Sequence, residues 1–204
     1  MTRQKLKARD VFEQLARGPF ELEIERRWLP RSLPREVHEV RRSEITQYYV
    51  RIGSPEEGRL RLRRKGDEFL ASIKMGNGLV RRESLPLSLS ETDFHDILDG
   101  KPWPRVQKVR CYIGHDGHVM DLDIYRGSLT GLAIAETEFP SVKRADRFAV
   151  PLWLGREVTW IWGLGNSALA RYGMPANVEL LTEAVKPLLR TFERGDNAQA
   201  KPRS

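Results

Sequence analysis

In five stretches of this chain, charged residues of one sign recur at every second position. "FELEIERRWL" carries Glu21, Glu23, Glu25 and Arg27 on one side of a period of two, with Leu22, Ile24, Arg26 and Trp28 on the other. "RLRLRRKG" places Arg59, Arg61 and Arg63 together, "QKVRCY" places Lys108 with Arg110, and the acids return as Asp121 and Asp123, then Glu136 and Glu138. Carboxylates gathered this way hold hard divalent cations through oxygen. Guanidinium and ammonium groups hold phosphate oxygens. Acidic and basic patches together suit a phosphate–metal complex. A nucleic-acid groove would set aromatic rings among the bases and carry few acids, so nucleic acid is disfavoured as a partner. The plainer alternative is a sheet whose polar face lies in water, where salt screens the repulsion between like charges.

The elements that would position these groups are strands. Asn77-Gly78 is a two-residue hairpin signal; it sets Lys74 opposite Arg81 and Ser72 opposite Glu83. Turning at Gly66-Asp67 sets Arg59 opposite Lys74, Arg61 opposite Ser72 and Arg63 opposite Leu70. Arg59, Arg61, Arg63, Lys74 and Arg81 then share one face, and Leu60, Leu62, Ala71 and Ile73 the other. Asp116-Gly117 sets Arg110 opposite Asp123 and Lys108 opposite Tyr125, with Cys111 among apolar residues. His115 and His118 flank that turn and are expected to be exposed. A loop centred on Leu129 and Thr130 would set Glu136 opposite Asp123 and Glu138 opposite Asp121. Removing one acid from so crowded a set is expected not to destabilise the metal-free protein.

Helices frame this β-rich middle. "QKLKARDVFEQLAR" reads as a short amphipathic helix before Gly18-Pro19; "SETDFHDIL" begins at a capping Ser90; "SVKRADRFAV" and "NSALARYG" read as short helices. Pro175 to Gly195 reads as a longer helix kinked at Pro187, and the tail from 196 to 204 as disordered. His38 and His95 fall in polar, helix-like stretches and are expected at the surface. The expected organisation is an N-terminal helical extension over 1–19, a β domain over 20–173, a C-terminal helix over 174–195 and the tail.

Composition bounds the partners. The 204 residues suffice for one core, and a formal charge of +7 favours a polyanion. A single cysteine excludes an internal disulfide framework and suits the cytoplasm. No apolar run approaches a membrane span, and the basic start lacks a hydrophobic signal segment. Homodimer formation is left open.

Taken in order, these motifs resemble the CYTH superfamily, the triphosphate tunnel metalloenzymes, over about residues 20 to 173. The E-x-E-x-K signature matches Glu23 and Glu25; R-x-R matches Arg61 and Arg63; the lysine strand and its following arginine match Lys74 and Arg81. K-x-R matches Lys108 and Arg110, the acidic hairpin matches Asp123, Glu136 and Glu138, and "LGREVT" supplies Glu157. The resemblance implies an α+β, mainly β fold: an eight-stranded antiparallel closed barrel with helices packed outside and a charged tunnel within. It implies metal-dependent hydrolysis of a triphosphate, inorganic triphosphate first, with Mg²⁺ or Mn²⁺. It implies Glu23, Glu25, Asp123, Glu136 and Glu138 as metal ligands. Arg61, Arg63, Lys74, Arg81, Lys108 and Arg110 would bind substrate, and Lys108, Arg110 and Arg27 would be catalytic. The alternatives are an adenylate cyclase making cyclic AMP from ATP, and a non-catalytic polyphosphate or nucleotide binder. Trp160 and Trp162 could stack a ring or fill a core. The chain departs from the pattern at Arg27, where the signature has lysine, and at Leu85, Ile161 and Leu164.

Overall fold

The computed structural model of the protein describes residues 5–34, 40–52, 58–76 and 78–177. Its strands are β1 (Phe20–Pro30), β2 (Arg42–Val50), β3 (Arg59–Lys65), β4 (Glu68–Met75) and β5 (Val80–Ser84), then β6 (Leu87–Ser88), β7 (Arg105–His115), β8 (His118–Tyr125), β9 (Ala133–Phe139) and β10 (Leu154–Glu157). Around the molecule they run β1-β5-β4-β3-β2-β7-β8-β9, and β9 pairs back onto β1. Eight antiparallel strands therefore close into the expected barrel, with β6 and β10 as additional short pairings on β4 and β1. Closure leaves no long unpaired edge.

Turn chemistry sets two of the hairpins as anticipated. Asp116 and Gly117 both adopt positive φ (47° and 72°), which a two-residue turn requires, and His115 stands opposite His118. Gly66 (φ 57°) opens the other turn, and Arg59, Arg61 and Arg63 face Lys74, Ser72 and Leu70. Two registers differ from the sequence reading. Lys74 faces Glu83, not Arg81, because Met75 pairs with Arg82 and the connection is wider than a two-residue turn; Asn77 itself lies outside the described residues. Asp121, not Asp123, faces Glu136, because a 3₁₀ turn at Gly127–Leu129 draws the loop centre to Ser128 and Leu129. Both slips are of two residues, so every side chain keeps its face.

The helices are α1 (Ala8–Ala16), α2 (Glu91–Leu98), α3 (Val142–Asp146) and α4 (Asn166–Tyr172). Ser90 accepts from the Asp93 N–H and Ser141 from the Arg144 N–H, supplying N-caps for α2 and α3. On the outer wall, α1 and α2 cover Leu60, Leu62, Ala71 and Ile73, while α3 and Phe148 cover Trp28, Cys111, Leu122 and Ile124. Truncating a buried residue such as Leu62 to alanine would cost about 2–5 kcal/mol. Between these covered regions Leu22 stays 67% exposed and Val80 43% exposed, so the outer face of β1 and β5 is bare there.

A third apolar cluster lies inside one end of the barrel. Leu29, Val106, Tyr125 and Ile134 from the strands meet Val158, Leu164 and Leu169 from the C-terminal segment. This plug makes the tunnel one-ended. Among the described residues no helix is long and apolar enough to cross a membrane. Beyond residue 177 the helix anticipated over Pro175–Gly195 lies outside the described residues, as do the tail and His38.

Candidate active site

Period-two geometry turns every second residue of the eight strands inward, and at the unplugged end those residues are charged. Glu23 faces Arg81 across β1 and β5, while Glu25 faces Glu138 and Arg27 faces Glu136 across β1 and β9. Glu23, Glu25, Arg61, Arg63, Lys74, Arg81, Arg110, Glu136 and Glu138 all line a cavity of about 230 Å³.

Two charge networks hold the walls. In the first, Lys74 Nζ lies 2.8 Å from Glu23 Oε2 and 3.4 Å from Glu83 Oε2, Arg61 bonds Glu83, and Arg81 pairs with Glu25. In the second, Arg110 donates to Asp123 Oδ1 and Oδ2 (both 2.7 Å), to Glu136 Oε2 (2.9 Å) and to Asp121. Lys108 bonds Asp123 with both side chains removed from solvent. Arg63 belongs to neither network. Among the described residues its guanidinium has no hydrogen-bond or ion-pair partner, and its Nε is buried and unsatisfied. Burial, together with the neighbouring Arg110 and Arg61, disfavours its charge. An anion in this cavity would relieve that.

Proton affinities divide along the same lines. Burial and the nearby Glu136 push the Glu25 carboxyl up to about 7, against Arg81 and Lys74. Burial acts in the same sense on Glu136, but Lys108, Arg110, Arg27 and Arg81 outweigh it and hold that carboxyl well below the usual range. Glu138 is raised by burial and by Glu23.

The donor set fits a divalent cation. Carboxylate oxygens of Glu23, Glu25 and Glu138 lie within 4.8 Å of one another. Oε2 of Glu23 and Oε1 of Glu25 are buried near cations yet accept no well-directed hydrogen bond. Clustered hard oxygen donors of this kind suit a divalent cation such as Mg²⁺ or Mn²⁺.

Three residues singled out from the sequence sit behind the cavity wall. Lys108 and Asp123 form the buried pair beneath Arg110. Arg27 points toward the plug: Nη1 donates to Leu164 O (2.9 Å), Nη2 to Thr159 O (3.0 Å), and Nε lies 3.6 Å from Glu25 Oε1. The reach of Arg27 to carbonyls about one barrel end away explains why a fork-shaped side chain can stand at the signature position. Trp160 and Trp162 are not core residues; they are 72% and 50% exposed. His115 and His118 are half-buried against Phe148, with His115 Nε2 3.0 Å from Ala149 O, rather than free at an exposed turn.

Sequence reading left out several wall residues. Glu83, Ser72, Gln47 and Asn166 also line the cavity. Glu83 was placed opposite Ser72 by a register two residues away from the real one. Gln47 shares the inward face of β2 with Ile45 and Tyr49, whose alternation was the available signal. Asn166 enters from α4; its Oδ1 accepts from Tyr125 Oη (2.6 Å) and lies 3.4 Å from Lys108 Nζ.

Comparison with known proteins agrees with this architecture. No family model matches the chain. An inorganic triphosphatase of Nitrosomonas europaea is 36% identical over 152 residues, spanning 72% of this chain and 96% of that protein. A crystal structure of an inorganic triphosphatase superposes with a TM-score of 0.55 at 30% identity, covering 72% of this chain and 93% of the other. A further crystal structure, described as a hypothetical protein, gives 0.56 at 31% identity over 72% of this chain and 97% of that one. With this barrel, this ring of acids and bases and this degree of identity, the chain belongs to the CYTH superfamily.

Proposed function

We propose that this protein hydrolyses inorganic triphosphate inside the tunnel, with Mg²⁺ or Mn²⁺ held first by Glu23, Glu25 and Glu138. The observation that carries the reading is the coexistence, in one cavity, of Arg63, which has no partner among the described residues, and three carboxylates whose oxygens lie within 4.8 Å of one another. The bound cation would supply charge neutralisation on phosphate oxygens and a more acidic bound water. Arg61, Arg63, Lys74, Arg81 and Arg110 grip the phosphoryl oxygens and offset charge that develops as the anhydride bond breaks. A water oxygen attacks the terminal phosphorus, the P–O anhydride bond opens toward pyrophosphate, and a carboxylate of the ring takes the water's proton. Lys108 acts from behind the wall by holding Asp123, and Asp123 with Glu136 holds Arg110. Arg27 serves the same end by fixing the plug and flanking Glu25.

The named activity of the Nitrosomonas relative supports this choice of substrate. Among the described residues the cavity wall carries no aromatic ring, so nothing there would seat the adenine that a cyclase needs. The single cysteine, Cys111, is buried, which accords with the cytoplasm as the place of action, and residues 20–173 would form the working domain. A phosphate-release screen over triphosphate, thiamine triphosphate, ATP and longer polyphosphate, each with Mg²⁺ and with Mn²⁺, tests the assignment. Triphosphate with either metal should give the highest turnover; equal or greater turnover of ATP would refute the substrate assignment.

A further inference from the structure

The plug divides the barrel interior in two. Along β2 and β3 the inward row runs from Gln47, Arg61 and Arg63, which line the charged cavity, to Tyr49 and Arg59, which line a second cavity of about 240 Å³. Helix α4 forms the partition. Its Asn166 faces the first chamber, while Ser167, Arg171 and Tyr172 face the second.

The two chambers differ in chemistry. The first holds as many acids as it needs to seat a cation. Among the described residues the second is lined by Arg51, Arg59 and Arg171 and by no carboxylate. Among the described residues Arg59 makes only a long contact, 3.4 Å, to Ser167 Oγ. A group of arginines without acids binds phosphate oxygens by forked hydrogen bonds and has no means of holding a metal. The rim adds a second feature. Trp162 and Tyr172 lie with ring centroids 5.6 Å apart and remain 50% and 66% exposed. The two ring planes are tilted by 47°, so a flat heteroaromatic ring can stack on the open Trp162 face with Tyr172 against its edge, beside the cations.

We propose that this outer chamber is a binding site for a nucleoside monophosphate, distinct from the triphosphate tunnel. The base stacks on Trp162 with Tyr172 against its edge, and the phosphate is held by Arg59 and Arg171. The site is separated from the tunnel by α4, so it can be filled while the tunnel is occupied, and it requires no divalent cation.

The test is calorimetric titration of AMP into the full-length protein with Mg²⁺ and a saturating non-hydrolysable imido analogue of triphosphate. AMP should bind under these conditions. Its affinity should fall at least tenfold in Arg171→Glu and in Trp162→Ala, with the hydrolysis of triphosphate unchanged in both. Inorganic phosphate alone and adenosine alone should each bind at least tenfold more weakly than AMP. Arg171 is exposed, so Arg171→Glu decides the matter even if Trp162→Ala fails to fold. Absence of AMP binding, its competition by the triphosphate analogue, its indifference to Arg171→Glu, or phosphate alone binding as tightly would each overturn the proposal.

Discussion

Glu136 and Asp121 stand directly opposite each other on β9 and β8, and one guanidinium, that of Arg110, is bonded to both. What looks from the sequence like an uncompensated cluster of acids is therefore knitted by a cation, with Lys108, Arg27 and Arg81 adding to the field.

That relationship reverses the expected effect of neutralising Glu136. Its carboxyl is held ionised in the folded state, so Glu136→Gln should destabilise the metal-free protein at neutral pH. The loss should be about 1–3 kcal/mol, moderated because Arg110 keeps Asp121 and Asp123. Urea unfolding of the two proteins measures it. A variant as stable as the wild type would mean that repulsion among the acids, and not their pairing with Arg110, dominates.

Glu25 should behave oppositely. Its carboxyl is raised from an ordinary 4.5 to about 7, so folding favours the protonated form. The stability this provides is present below about pH 4.5 and is lost as pH rises toward 7. Metal-free wild type should lose about 2–3 kcal/mol relative to Glu25→Gln across that interval. Stabilisation by Mn²⁺ should grow over the same interval, since the ion displaces the proton. Parallel stability curves for wild type and Glu25→Gln from pH 4.5 to 7 would contradict this assignment.

Among the described residues Arg63 has no partner to lose. Arg63→Ala should leave unfolding stability unchanged or slightly raised, because it removes a poorly solvated cation from beside Arg61 and Arg110. Tripolyphosphate should raise the melting temperature of the wild type without metal, less so in high salt, by binding only the folded state. In Arg63→Ala that rise should shrink by more than half. Thermal scans with and without ligand check both statements.

Arg27→Lys tests the departure at the signature position. A lysine cannot serve Thr159 O and Leu164 O together, so the variant should lose about 1–2 kcal/mol of stability. Because Arg27 is turned toward the plug, the pH profile of turnover should hardly move. A tenfold gain in turnover with a displaced optimum would instead give this position a proton-handling role.

How far the sequence foretells the structure depends on the kind of constraint. The inward residues of β1, β3, β4, β7, β8 and β9 were legible because a period of two assigns faces without reference to partners. Neighbours across strands were less so. Wherever Gly or Asp-Gly fixed a two-residue turn, as at Gly66 and Gly117, the pairing followed; where the loop was wider, as after Met75 and Tyr125, it slipped by two residues. That Glu138 faces Glu25 and Arg27 faces Glu136 was not legible either, because no turn joins β1 to β9 and their pairing comes only from closure of the barrel. The plug was not legible at all. It depends on contacts such as Arg27 to Leu164, 137 residues apart, for which a short sequence pattern holds no trace.

The central claim is that the tunnel performs hydrolysis and does not only bind. Following tripolyphosphate by phosphorus NMR with the full-length protein and Mg²⁺ or Mn²⁺ tests it most directly. Tripolyphosphate signals should give way to equimolar orthophosphate and pyrophosphate, and chelating the metal should stop the conversion. Tripolyphosphate that shifts or broadens on binding but persists unhydrolysed with both metals would contradict it and leave a polyphosphate-binding protein in its place.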